Sequence, residues 1–362
     1  MSVESSAATP PAAAAMPSVS FKFCTAKVAG EGEDANPILR VGPDLGLLGV
    51  FDGMGGAGGR VYDTPDGRHT GAYIASRFAR NVVERLMLEL IKPEWNLDGP
   101  ATAAELHRVL ASSLAARLAE LKAPETSLRS KLVKALPTTM TLAVLQRTDP
   151  AAGTYACHLF WAGDSRAYAL GPEAGLMQLT TDDLRSGGDA MRNLTDDSVM
   201  SNCISADTEF HINHHQVELQ TPFLLLCATD GCFAYLRSPM HFEHLLLSTL
   251  QDAGDAEAWR RALEAKVTAI TGDDAALALL GLGADLGGFK KRFKDRTAQV
   301  ERHYIDPLDE LDGQVHHAEQ ELAGLRTRRA EFGGELWGAY KRDYERYLTV
   351  EASAGEEEEE AP

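Results

Sequence analysis

Cysteine is scarce in this chain and poorly placed for a framework. Five occur in 362 residues, Cys24, Cys157, Cys203, Cys227 and Cys232, and no two form C-x-x-C. An odd number without that spacing indicates neither a disulfide scaffold nor a zinc site, and it fits a reducing cytoplasm. None begins a C-x5-R phosphate loop, which argues against thiol-based phosphate-ester chemistry. No run of eighteen apolar residues occurs, and the Ala/Pro/Ser-rich start lacks a basic segment leading into a leucine-type stretch. Neither a membrane span nor a secretory signal is therefore expected. Basic blocks are missing too. The net charge is −18, of which Glu356 to Glu360 supply five, leaving −13 for the rest. A surface of that sign repels nucleic acid and anionic lipid and suits divalent cations, so neither nucleic acid nor membrane is an expected partner.

What is present is enough hydrophobic residue, 44%, for a sizeable core. Residues 1–18 read as a disordered arm. The segment from Val19 towards Arg40 begins as an alternating strand, "VSFKFCTAKVA", and "LGLLGVFD" reads as a buried strand that stops at glycines. Two amphipathic helices follow, with Ile74, Phe78, Val82, Leu86 and Leu90 on one and Leu106, Leu110, Leu114, Leu118 and Leu121 on the other. After a short helical stretch, "LRSKLVKAL", the runs "TTMTLAVLQ", "TYACHLFWAG", "RAYALG" and "GLMQLT" are spaced for antiparallel hairpins. Residues 181–213 are polar and aperiodic, as in a functional flap. Strands "HHQVELQ" and "FLLLCATDG", helices near 239–251 and 255–270 and a last strand, "AALALLGLG", complete a unit over 19–286.

Beyond Gly287 and Gly288, Tyr304, Leu308, Leu311, Val315, Ala318, Leu322 and Leu325 alternate spacings of four and three, continuing through Arg329 to Phe332 and Leu336. That is a heptad pattern, so 287–350 is expected to be a helical extension. It could fold back on its own domain, or residues 294–350 could associate with another chain. Gly333 and Gly334 are expected to break it, and 351–362 to form a disordered acidic tail.

The stretch "GVFDGMGGAGG" (49–59) contains G-x-G-x-x-G in Gly53, Gly55 and Gly58, yet an aspartate stands where the strand ends. A dinucleotide loop must open a helix at once, because the helix N-terminus holds the pyrophosphate. Here "RVYDTPDGRH" intervenes. The alternative is a metal-carboxylate turn, and other acids occupy the same kind of place: Asp164 in "WAGDSRAY", Asp230 in "LCATDG", Asp273 and Asp274 in "TGDDAALALL", Glu33 and Asp34 in "GEGEDA". Any one alone reads as a turn residue or helix cap. Together they offer hard oxygen ligands for Mg2+ or Mn2+.

In this order the motifs resemble those of the metal-dependent type-2C protein serine/threonine phosphatases, the PPM family, over residues 19–285. The resemblance implies an α+β fold, a two-sheet antiparallel β-sandwich flanked by helices, here with a C-terminal helical extension. It implies two or three Mn2+ or Mg2+ ions, a phosphorylated protein as substrate, and hydrolysis through a metal-bridging water. Asp52 would bridge two ions, the Gly53 carbonyl would bind one, and Asp230 and Asp273 would complete that ion's shell. Glu33 would orient waters, Asp34 would support them, and Asp164 would serve an additional weaker site. Asp274 stands where asparagine is common.

The departures are specific. Met54 replaces a histidine found in some members, and methionine there points to the bacterial branch. Ala29 stands where a phosphate-binding arginine is usual. If "CTAKVA" is extended, Lys27 shares a face with Ala29 and can partly substitute. Asp183 replaces a common flap histidine, and Arg192 and Asn202 are candidate substrate contacts. His211, His214 and His215 suggest zinc, but His214 and His215 would face opposite sides of a strand. The alternative to an enzyme is a pseudophosphatase that binds phosphoprotein or a partner without turnover.

Overall fold

The computed structural model describes residues 18–42, 44–91, 97–121, 133–185, 189–194 and 199–348. In chain order the first half holds β1 (Ser18–Thr25), β2 (Ile38–Val41), β3 (Leu45–Val50), the single turn α1 (Gly55–Gly58), β4 (Val61–Thr64), β5 (Gly67–Thr70), α2 (Gly71–Leu90) and α3 (Gly99–Glu120). The second half holds β6 (Met140–Asp149), β7 (Thr154–Ala162), β8 (Arg166–Gly171), β9 (Gly175–Gln178), β10 (Asn213–Gln220), β11 (Phe223–Ala228), α4 (Pro239–Asp252), α5 (Ala256–Ile270), β12 (Ala275–Leu282), α6 (Leu286–Val300) and α7 (Asp306–Tyr344).

Two five-stranded antiparallel sheets result, ordered β1-β12-β11-β8-β9 and β10-β7-β6-β3-β2, with β4-β5 a separate hairpin. Their inner faces share one core, in which Leu48, Leu145 and Leu159 meet Leu225, Ala278 and Leu280. Gly46 lets the sheets approach, since a Cβ there would lie 2.8 Å from Leu280 Cδ2. On the outer face of the second sheet, Leu47, Leu142 and Phe160 pack against Val83 and Met87 of α2 and Leu106 and Leu110 of α3. The first sheet is covered by α4, α5 and α6, through Phe21 against Trp259 and through Phe289 over Gly281. Every residue of β11 and β12 is buried. A strand covered on both faces needs no polar alternation, which is why "FLLLCA" and "AALALLGL" read as continuous apolar runs.

This is the α+β sandwich expected from the sequence, with three corrections. The first strand stops at Thr25, so Lys27 and Ala29 lie in an exposed turn closed by Glu31 N donating to Val28 O at 3.0 Å, and the shared-face argument for them fails. The compact unit ends at Arg302 rather than 286, because α6 belongs to it. Lys290 Nζ donates to Ala253 O at 2.8 Å, and Arg296 is paired with Glu243 of α4 at 2.6 Å. Finally, α7 runs unbroken through Gly333 and Gly334. The arm (residues 1–17), most of "LRSKLVKAL" and the acidic tail lie outside the described residues. No helix among the described residues is long and apolar enough to cross a membrane.

Candidate active site

Three strand ends and one loop of the sandwich deliver carboxyl groups to one region. Asp52 follows β3, Asp164 follows β7, Asp230 follows β11 through Thr229, and Asp34 sits in the loop from β1 to β2. The threonines of "TTMT" hold the first two turns. Thr139 N donates to Asp52 O (2.9 Å), and so does Thr138 Oγ1 (2.6 Å). Thr139 Oγ1 meets Ser165 Oγ at 2.7 Å, and Thr141 Oγ1 donates to Ser165 O at 2.6 Å. Gly163 has φ +111° and leaves no room for a Cβ, which would sit 2.7 Å from that of Thr139. The motif "AGDSR" is thus fixed by its neighbour "TTMT".

The β1–β2 loop is clamped onto the site from two sides. Asp274 accepts from Lys27 N through Oδ1 (2.8 Å) and from Glu33 N through Oδ2. Arg77 of α2 donates to Gly32 O (2.9 Å) and Glu33 O (3.1 Å) while its guanidinium lies 3.6 Å from the Tyr73 ring centroid. Ser76 Oγ donates to Glu33 O, and Thr70 Oγ1, also the N-cap of α2, donates to Glu33 Oε1. The glycines of "DGMGG" now have a reason. A Cβ on Gly53 would meet Glu33 O at 2.6 Å, and one on Gly55 would strike Glu33 Oε2. Glycine is required here to admit Glu33, not to cradle a dinucleotide.

The electrostatics are lopsided. Burial raises the carboxyl pKa of Asp34 to about 7 and of Asp164 to about 6. Burial raises Asp52 and Asp230 well above the ordinary range, Asp52 further through Asp34, Asp230 and Asp164, and Asp230 further through Asp164, Asp34 and Asp273. Asp34 and Asp52 hydrogen-bond to one another, which two carboxyls do only by sharing a proton. Asp34 Oδ2 also accepts from Thr229 Oγ1 at 2.8 Å, and burial raises Glu33 as well. Asp164 Oδ1 is buried without a hydrogen-bond partner among the described residues. A group of acids this close must take up either protons or cations.

Among the described residues no three Asp, Glu, His or Cys side chains converge to ligate one ion by themselves. The donor set is nonetheless all oxygen, with half-buried carboxyls at Asp52, Asp164 and Asp230 open to solvent on one side. That fits Mg2+ or Mn2+, which take one or two carboxylates and keep several waters, and does not fit zinc. His211, His214 and His215 form no zinc site among the described residues: His214 Nε2 sits 3.3 Å from His158 Nδ1, and its ring lies where a Cβ on Gly99, at the start of α3, would be.

The other sequence-selected residues divide clearly. Asp273 is exposed at the rim and close enough to raise Asp230. Arg192 is exposed on a 3-10 turn of the flap. Asn202 is buried, and its amide is used in a lock: Nδ2 donates to Asp183 Oδ2 (2.6 Å) and His211 O (3.1 Å), and Oδ1 accepts from His211 N (3.1 Å). Asp183 also accepts from Gly163 N and Asn213 Nδ2. This pair therefore anchors the flap base rather than reaching a substrate. Asp182, not singled out in the sequence, ties Arg166 in a buried bidentate pair (2.8 and 2.6 Å) to Asn193 of the flap (2.8 Å). Arg77, Thr70 and Ser76 were also missed. Their spacing on α2 looked like ordinary helix chemistry, and only the fold brings them to Glu33. A cavity of about 200 Å³ beside Arg166, Tyr168, Phe233 and Phe242 contains none of the clustered acids and is separate from them.

Two substitutions probe this clamp. Asp274→Ala removes both acceptors of the loop, and Gly55→Ala displaces the flexible end of Glu33 without touching the core. Each is expected to weaken Mn2+ binding, read by calorimetric titration, by roughly 10- to 100-fold, the usual cost of losing an outer-shell partner. Gly55→Ala should do so with a melting temperature close to wild type. Unchanged Mn2+ affinity in both variants would remove Glu33 from the site.

The model of the family described as protein phosphatase 2C matches residues 34–267. Among solved structures, a Caenorhabditis elegans sex-determining protein is similar at 15% identity and TM-score 0.52, over 77% of this chain and 68% of that one. A bacterial serine phosphatase is similar at 15% identity and TM-score 0.50, over 75% of this chain and 99% of that one. The Mycobacterium tuberculosis serine/threonine phosphatase PstP/Ppp gives 18% identity and TM-score 0.49, over 74% and 99%. Comparison with curated proteins gives no match.

Proposed function

Because the chain belongs to the protein phosphatase 2C family, we propose that it is a Mn2+- or Mg2+-dependent hydrolase of phosphoserine and phosphothreonine in proteins. The observation that supports this most strongly is the group of four carboxyls, Asp34, Asp52, Asp164 and Asp230, each raised first of all by burial, with an Asp164 oxygen that has no hydrogen-bond partner among the described residues. When bound, a pair of divalent ions supplies an attacking water of lowered pKa and positive charge against the phosphoryl oxygens.

In this reading Asp52, the Gly53 carbonyl, Asp230 and Asp273 would hold the ions, and Asp164 would hold a further, weaker one. Glu33, fixed by Thr70, orients waters. Asp34, beside Asp52 and accepting from Thr229 Oγ1 at 2.8 Å, would hold Asp52 in position towards a cation. Asp274 and Arg77 set the position of Glu33 through backbone contacts. Met54 has a thioether and cannot protonate the leaving group, which leaves solvent for that step. Asn202 and Asp183 keep the flap base closed over Gly163.

A second reading, a binding module without turnover, is favoured by one observation. The position where a phosphate-gripping arginine would stand is Ala29, on an exposed turn, and Arg77 nearby spends its donors on Gly32 and Glu33. Lys27 on the same turn offers at most a point charge. Hydrolysis of p-nitrophenyl phosphate and of a phosphothreonine peptide, assayed after chelation and again after adding Mn2+, separates the two. We place the protein in a reducing compartment, where its five thiols stay unpaired.

A further inference from the structure

α7 is 39 residues long, close to 58 Å, and buries none of its own residues. Its heptad stripe is open: Leu311 is 57% exposed, Leu325 55% and Phe332 61%. Gly313, Gly324, Gly333, Gly334 and Gly338 lie in the same helix with nothing within 4 Å of where a Cβ would be. A helix this glycine-rich is a poor candidate for standing alone, since helical stability in water comes mainly from packing an apolar face.

The charge pattern indicates what covers that face. From Asp306 to Glu321 the helix carries Asp306, Asp309, Glu310, Asp312, Glu319 and Glu321 and no lysine or arginine. From Arg326 to Tyr344 it carries Arg326, Arg328, Arg329, Lys341 and Arg342, against three acids. With Leu308 and Leu311 at positions a and d, Glu319 and Arg326 fall at e, Glu321 and Arg328 at g. Arg329 occupies an a position inside the stripe.

We propose that α7 pairs with α7 of a second copy of this chain as an antiparallel two-stranded coiled coil, its two-fold axis between Ala323 and Gly324. In that register Leu322 faces Leu325 of the second copy, Leu311 faces Leu336, and the small Val315 faces the large Phe332. The flanking positions pair Glu319 with Arg326 and Glu321 with Arg328, each twice by symmetry. Arg329 is set opposite Ala318, alongside the acidic half of the other helix. The parallel arrangement is worse on each count: it stacks Arg329 on Arg329 and leaves Glu321 with Arg326 as the one complementary flanking pair. Two units would then be tied tail to tail, with their acid clusters carried separately.

The test uses the full chain with Cys24→Ser, the other four cysteines being buried. Sedimentation equilibrium should show a dimer at micromolar concentration. A spin label on Glu310→Cys should lie about 40 Å along the axis from its counterpart, 27 residues at 1.5 Å each, where a parallel pair would bring the two within about 20 Å. Glu319→Arg with Glu321→Arg should raise the dimer dissociation constant by about tenfold or more, and adding Arg326→Glu and Arg328→Glu to that chain should restore it. A monomer at all concentrations, a short label distance, or a quadruple variant that stays weak each overturns the proposal, and a different protein seated on a monomeric α7 does so as well.

Discussion

Asp230→Asn is expected to lower kcat for a phosphothreonine peptide by about 10²- to 10³-fold or more, while the metal-free protein melts at the same temperature as wild type or higher at pH 7.5. On the proposed function, the first effect follows from losing a carboxylate that would hold an ion against the reacting phosphate, a class of loss that costs about that much. The second follows from the folded structure. Asp230 is raised by burial and by Asp164, Asp34 and Asp273, so at neutral pH its negative charge opposes folding of the metal-free chain. Asparagine removes that charge and keeps the shape. Asp52→Asn should behave alike, since it shares the same neighbours. A merely structural aspartate would show the reverse pattern, with lost stability and retained activity.

The pH dependence of stability gives the second large effect. Asp34 and Asp164 have folded pKa values of about 7 and about 6, against 3.8 unperturbed. Between pH 4 and 7 the folded chain therefore binds more protons than the unfolded chain, so stability falls as pH rises through that window. Asp34 alone corresponds to at most roughly 4 kcal/mol across the window, and each kcal/mol moves the melting temperature of a domain this size by about 2–4 °C. Adding Mn2+ replaces the protons as the neutralising charge. Its stabilising increment in calorimetry should accordingly be several degrees larger at pH 7.5 than at pH 5. An increment that is equal at the two pH values, or larger at pH 5, would mean that the ion does not bind these carboxyls.

The layer arrangement was legible in the sequence because its signals are local. Continuous apolar runs mark β11 and β12, and the spacing of Val82, Leu106, Leu110 and Leu114 marks the two helices over the second sheet. The acids were legible too, since each stands beside glycine at the end of such a run. What the sequence withheld lies in contacts across long separations. Nothing local in "CTAKVAGEGE" says that the strand stops at Thr25, because the cause is Asp274, almost 250 residues away, capturing Lys27 N and Glu33 N. Arg77 and Thr70 look like routine helix residues until the loop is seated on them. Asn202 looks like an exposed flap amide until His211 and Asp183 enclose it. The run through Gly333 and Gly334 misled in the other direction: two glycines weaken a helix by about 2 kcal/mol together, which is less than the continuing apolar stripe can return once it is covered.

The most direct measurement is phosphate release from a phosphothreonine peptide by chelator-stripped protein as Mn2+ is added back, with bound Mn2+ counted in parallel. The account predicts no release without metal, release that rises with occupancy towards at least two ions per chain, and loss of both in Asp52→Asn. Full occupancy without phosphate release, or release that is indifferent to metal, would contradict it.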